Sequence, residues 1–220
     1  MKKLLHQLSE AFAWVRDLAS RTSVRHDRAP IDTVERVCHF ARTRAALIAQ
    51  KKLYGYLKER MGLQYPKVFS DDAFVASLNI GKAHIYAACL ADATCFCVAA
   101  ATTEPGFDKA ARERFARDCY RMGIEENAGG AADEDRRNWL EAFDERLEKT
   151  VWQGPGEGGR HFIESAPALV RWAPIADQLK RYDREIVENS IRYAWVEVRG
   201  DYLQRLDRAA VAADWGKMPA

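Results

Sequence analysis

The chain has 220 residues with 34 basic and 32 acidic side chains, which gives a formal net charge of +2, and 48% of its residues are hydrophobic against 30% charged. This composition excludes a disordered chain, which would hold fewer apolar residues, and the 13 glycines and 7 prolines exclude a collagen-like or low-complexity protein. At this length we expect one domain with its own hydrophobic core.

Apolar residues recur along nearly every long segment with the period of a helix, and no segment alternates as a half-buried strand does. We therefore predict an all-α, single-domain bundle of about five to seven helices, with a buried, small-residue-rich central helix and a long C-terminal helix. Residues 1–30 are predicted to form a basic amphipathic helix and its connector, and residues 31–215 the bundle. The predicted helices cover about residues 2–20, 32–61, 71–103, 108–122, 133–152, 166–172 and 174–207.

Several helix starts are predicted from capping residues. Asp32 and Glu35 have the spacing of a capping box, Ser70 can cap the central helix, and Pro174 suits the first position of the last long helix. The core face of the 32–61 helix is predicted from residues that recur every seven positions: Phe40, Leu47, Tyr54 and Met61.

The cysteines and the longest apolar run indicate a reducing cytosol and no membrane span. Five cysteines are an odd number, and Cys95 and Cys97 lack the second pair that a zinc site needs, so no metal and no cofactor are predicted. The apolar run 85–101 is short for a span and is interrupted by Asp92. The polar residues among the first ten also argue against a signal peptide.

Charge is distributed unevenly along the chain. Residues 1–60 carry 13 basic and 6 acidic side chains, and the remainder carries 21 and 26, so a +7 region precedes a −5 region. Arg44, Lys51 and Lys58 recur every seven residues, which places them on one helix face. Such a stripe suits phosphates, anionic lipids or an acidic protein surface. The alternatives are a solvated face and pairing with the acidic 133–152 helix.

The predicted first helix adds to this basic region. Lys2, Lys3 and Arg16 accompany an apolar stripe that includes Phe12. This combination suits a membrane surface or a docking partner, and equally the first helix of the bundle.

Small residues lie on one face of the predicted central helix, around a histidine. This face suits close helix packing or a ligand pocket, with His84 at its middle and Asp92 at its edge. His84 is therefore a candidate metal ligand, haem ligand or general base oriented by Asp92, and the alternative is a hydrogen-bonded core histidine. The candidate pocket residues are Ser77, Gly81, Ala88 and Cys95.

Catalytic motifs are missing from the sequence, which contains no Glu-x-x-His pair, phosphate-binding loop or Gly-x-Ser-x-Gly elbow. A basic domain that reads a nucleic-acid sequence is not indicated either. The leading hypothesis is a soluble adaptor, regulatory or assembly protein that binds an acidic protein or other anionic surface through the basic N-terminal region and the stripe of Arg44, Lys51 and Lys58. The expected partner is another protein or a second copy of the chain. The alternatives are an enzyme or small-molecule-binding protein with a pocket near His84, and a peripheral membrane protein anchored by residues 1–20.

Overall fold

The computed structural model describes residues 27–128, 130–152 and 160–218. Over these residues the fold is a single-domain all-α bundle, which confirms the predicted class. In chain order the helices are α1 (Val34–Met61), α2 (Tyr65–Val68), α3 (Asp72–Ala101), α4 (Lys109–Asn127), α5 (Asp133–Lys149), α6 (Ser165–Trp172), α7 (Asp177–Arg205) and α8 (Arg208–Trp215). A 3-10 turn over Gly62–Gln64 joins α1 to α2. The predicted 2–20 helix, with Lys2, Lys3 and Arg16, lies outside the described residues.

Helix α3 is the centre of the bundle and packs against α1, α4 and α6. Every residue from Cys89 to Ala101 is buried, because neighbouring helices cover this half of α3 on all sides. Small side chains permit this close packing. A Cβ atom on Gly81 would lie 2.2 Å from the carbonyl oxygen of Trp172, so the end of α6 rests directly on the α3 backbone.

The length and composition of α3 would also allow it to cross a membrane. However, 83% of its most apolar window is buried inside the bundle, as is usual for the core helix of a soluble protein. The hydropathy of α3 is therefore weak evidence for a membrane span.

Two helix caps differ from the prediction by one residue. Thr33 caps α1 in place of Asp32, because the Thr33 hydroxyl accepts a hydrogen bond from the Arg36 amide at 3.2 Å. Asp71 caps α3 in place of Ser70, since its carboxylate accepts from two amides of the first turn. In both cases the capping residue is the extended residue that directly precedes the helix, so its side chain faces the free amides of the first turn.

Other helix ends also differ. Helix α4 continues to Asn127, beyond the predicted end near residue 122, and α5 ends at Lys149 rather than near 152. Helix α7 begins at Asp177 because Ala176 is extended, with φ −60° and ψ 135°, so Pro174 precedes the helix.

The buried face of α1 is rotated from the predicted one. Phe40 is 4% exposed, but Leu47, Tyr54 and Met61 are only partly buried. The face that packs against α3 and α7 is formed by Val37, Ala41, Ala45, Ile48, Ala49, Leu53 and Leu57, among others.

The two ends of the described chain are joined at the C-terminal end of α7. The Ile31 amide donates to the Arg205 carbonyl and the Asp207 amide donates to the Ile31 carbonyl, each at 2.9 Å. Asp27 also forms an ion pair with Arg205 at 3.1 Å. The bundle is thus closed by contacts between its most distant segments.

Candidate functional site

His84 lies on the small-residue face of α3, between two tryptophans. Its ring stacks on Trp172, with ring centroids 3.6 Å apart and planes inclined by 3°, and it meets the edge of Trp139 at 5.0 Å. The Trp139 indole N–H donates to His84 Nδ1 at 3.1 Å. These contacts fix both the plane of the imidazole and its tautomer: with Nδ1 accepting, the proton of the neutral ring is on Nε2.

The surroundings of His84 keep it neutral. Burial lowers its pKa below the usual range, Asp135 opposes this effect, and Arg171 reinforces it. The Nε2 atom lies 3.8 Å from an Asp135 carboxylate oxygen, too far for a hydrogen bond. Because the Nδ1 lone pair already accepts from Trp139, His84 offers a hydrogen-bond donor, and this arrangement does not leave a free basic nitrogen.

Asp92 does not orient His84. Its side chain is completely buried, and it forms an ion pair with Arg146 at 3.0 Å. It also accepts hydrogen bonds from the amides of Ile163, Glu164 and Ser165, at 2.8 to 3.2 Å. Asp92 therefore caps the start of α6 from a different helix, and its partners in the described part of the chain do not include His84.

Arg146 connects Asp92 to the surface. Its guanidinium also binds the Glu164 carboxylate at 2.8 Å and the His161 carbonyl oxygen at 2.6 Å. Burial raises the pKa of Glu164, and Arg146 opposes this shift. The Arg146 network therefore fixes the loop that enters α6.

A cleft of about 310 Å³ opens beside His84. Its floor consists of Ala87, Ala88 and Ala91 on α3. Aromatic and aliphatic side chains from α4, α5, α6 and the loop that enters α6 form its walls. Its most polar side chains are His84, Glu164 and Arg171. The other lining residues are Tyr120, Trp139, Ala142, Phe143, Ile163, Pro167, Ala168 and Trp172. The cleft therefore combines an apolar slot with a few fixed polar groups, which is typical of small-molecule sites.

Only part of the predicted pocket lies in this cleft. Ala88 forms its floor, and Gly81 sets how closely α6 approaches. Ser77 is exposed and lines a separate depression on the other side of Trp172. Cys95 is fully buried farther along α3, where burial raises its pKa to about 11, and it does not line the cleft. The predicted face continues into the core at Cys95 because the helices around α3 close over it.

The predicted basic stripe is interrupted at Arg44. Arg44 is 6% exposed, forms an ion pair with Asp201 at 2.7 Å and lies over the Phe40 ring. It is therefore part of the α1–α7 interface and not of an exposed surface. Lys51 and Lys58 are exposed, and Lys51 lines a groove of about 460 Å³ between α1 and α7.

Sequence patterns carry no functional signal for several residues that form or support the cleft. Trp139 is predictable only as part of the apolar face of its helix, and no motif assigns a role to Trp172 or Arg171 in the cleft or to Arg146 beside it. The one available signal is the spacing of Trp139 and Phe143, which places two aromatic rings on adjacent turns.

Comparison with protein-family models, curated proteins and solved structures finds no match to this chain.

Proposed function

We propose that the protein is a helical binding protein whose cleft beside His84 takes a small, planar, mainly apolar ligand that carries an anionic group. The single observation behind this proposal is the cleft, because its volume of about 310 Å³ lies at the lower end of the range found for small-ligand pockets.

The shape of the cleft favours a planar ligand. The small alanine side chains on α3 leave room beside four aromatic rings, those of Tyr120, Phe143, Trp139 and Trp172. The Trp139–His84–Trp172 contacts hold the aromatic groups in place before binding. Little conformational entropy would be lost when a ligand enters.

The charges of the cleft favour an anion. The Arg171 guanidinium lies over the Trp172 ring at 5.2 Å and is close enough to His84 to help lower the histidine pKa. His84 adds a neutral N–H donor. Glu164, the acidic residue at the opposite end, is already paired with Arg146. A ligand carboxylate or sulfonate at the Arg171 end would therefore meet a cation, provided that it lies clear of Asp135, whose carboxylate is 3.8 Å from His84 Nε2.

The test uses 1-anilinonaphthalene-8-sulfonate, a planar aromatic anion, as the probe. We expect saturable fluorescence enhancement with the full-length protein. Ala88→Phe should fill the floor, and Arg171→Glu should remove the cation and add an acid, each raising the dissociation constant about tenfold or more. Ala76→Phe, the same kind of substitution at an exposed position of α3, is the matched control and should bind as the wild type does.

Thermal melts of all four proteins establish that the variants are folded, since this dye also binds partly unfolded chains. Equal affinity of Ala88→Phe, Arg171→Glu and the wild type would contradict the proposal. Native mass spectrometry of freshly purified protein adds a direct search for a retained ligand, whose mass should be lost in Ala88→Phe.

A second candidate function is contact with an acidic protein segment, supported by the groove between α1 and α7. Lys51 and Lys52 line this groove beside Ile186, and Lys58 is exposed two turns farther along α1. The basic groups of the groove, Lys51, Lys52 and Arg60, outnumber its acids, Glu59 and Asp183. With the apolar side chain of Ile186, this excess of cations suits an acidic amphipathic segment. Arg44 is not included because its guanidinium is already paired inside the bundle.

Charge reversal tests this second function, with a poly-glutamate peptide as the probe. We expect the wild type to bind with a steep dependence on salt, and Lys51→Glu/Lys58→Glu to bind about tenfold more weakly or worse. Arg121→Glu/Lys149→Glu makes the same change of net charge at exposed positions on α4 and α5. If both double variants lose affinity equally, the effect is one of net charge and the assignment to α1 is wrong.

A further inference from the structure

The outer face of α7 exposes an apolar stripe. Twelve large hydrophobic side chains are exposed in the described part of the chain, and five of them lie on this one face, which points away from the core face of α7. They are Leu179 (43% exposed), Tyr182 (70%), Ile186 (74%), Tyr193 (76%) and Val196 (59%). Such a concentration on one helix face marks an interaction surface.

The stripe has the spacing of a coiled-coil seam. Its members, with Asn189 between Ile186 and Tyr193, follow one another at alternating intervals of three and four residues from Leu179 to Val196. The seam is about 26 Å long at the rise of an α-helix. Helix α7 therefore has two apolar faces. One packs inside the bundle, and the other, the seam, is exposed.

We infer that this seam pairs with the same seam of a second copy of the chain. The stripe is self-complementary in an antiparallel pair, where Leu179 lies opposite Val196 and Tyr182 opposite Tyr193 of the second copy. Such an isologous contact closes a two-fold dimer, the commonest form of oligomer.

The charges that flank the seam also match a second copy. Arg192, Glu185 and Glu197 lie beside the seam and are exposed. In an antiparallel pair Arg192 faces Glu185 of the second copy, and in a parallel pair it faces Glu197. Arg192 thus meets an acidic side chain in either direction, and each contact occurs twice because of the symmetry. Glu188 of its own helix, 2.8 Å from the guanidinium, already holds Arg192 in place.

The seam is separate from the cleft at His84, because no α7 residue lines that cleft. The inference is therefore independent of ligand binding at His84, while Ile186 is shared between the seam and the groove of α1 and α7.

The test measures the dimer dissociation constant of the full chain by analytical ultracentrifugation. Arg192→Glu should raise this constant about tenfold or more, because it places like charges opposite each other twice. Adding Glu185→Arg should restore the dimer if the helices are antiparallel, and adding Glu197→Arg should restore it if they are parallel. Neither companion substitution can compensate within the same helix. Residues 185 and 197 are seven and five positions from residue 192, whereas ion pairs within a helix need a spacing of three or four.

Arg184→Glu is the matched control. Arg184 also forms an ion pair with Glu188, at 2.9 Å, but it projects from the side of α7 opposite the seam. The Arg184→Glu substitution should leave the dimer dissociation constant unchanged. A wild type that is monomeric at all concentrations, as would result if residues 1–26 covered the seam, would overturn the inference. So would a dimer that is insensitive to Arg192→Glu, or one that neither companion substitution restores.

Discussion

Asp92 shows how one buried carboxylate can organise a site that it does not touch. It lies on α3, yet its partners are Arg146 on α5 and three consecutive amides at the start of α6. These amides have no partner within their own helix, and a fully buried carboxylate satisfies them while it neutralises Arg146. The position of α6, and with it one wall of the cleft, therefore depends on Asp92.

Asp92→Ala should lower the free energy of unfolding by about 3–5 kcal/mol, because Arg146 and the α6 amides lose their buried partner. The measurement is urea denaturation followed by circular dichroism. Asp144→Ala is the control: Asp144 also pairs with an arginine, at 2.7 Å, but its side chain is 50% exposed. Its loss should cost about 1 kcal/mol or less. Similar losses in the two variants would mean that Asp92 is not the anchor of α6.

The role of Asp92 also marks a limit of prediction from sequence. A helical wheel placed Asp92 at the edge of the His84 face and made it a partner of that histidine. Its actual partners are 54 to 73 residues away in the chain. A wheel shows which residues share a face of one helix, but not which loop lies across from that face.

At the scale of helices, the contact between α3 and α6 determines the width of the cleft. Gly81 allows the Trp172 carbonyl to rest against the α3 backbone, and Trp172 in turn stacks on His84. A backbone oxygen cannot move aside as a flexible side chain can, so any larger residue must displace the end of α6.

Gly81→Ala should therefore destabilise the protein by about 1–3 kcal/mol, although alanine is the better helix former. It should also weaken dye binding, since Trp172 moves with α6. Gly55→Ala, in a helix position with nothing within 4 Å of the added Cβ, provides the contrast and should stabilise by up to about 1 kcal/mol. Thermal denaturation of both variants checks the prediction, and a stabilised Gly81→Ala would refute the close contact.

For the whole molecule, helical periodicity was sufficient to predict the class, the central α3 and the approximate position of most helices. The cleft was not predictable in the same way, because it is assembled from α3, α4, α5 and α6. Arg44 illustrates the reason: its spacing with Lys51 and Lys58 is correct, but only the position of α7 shows that Asp201 covers one member of the stripe. Patterns within one helix report its faces, while the pairing of those faces depends on contacts distant in sequence.

The junction between Ile31 and the end of α7 has a consequence for how the bundle opens. Ile31 shares hydrogen bonds with Arg205 and Asp207, so the segment that leads into α1 separates from the end of α7 only when both bonds break. Forming this contact closes a loop of more than 170 residues. The entropic cost of closing so long a loop is smaller once the core between the two ends has assembled. We therefore expect the two ends to form one cooperative unit late in folding, so that local unfolding at either end exposes the other as well.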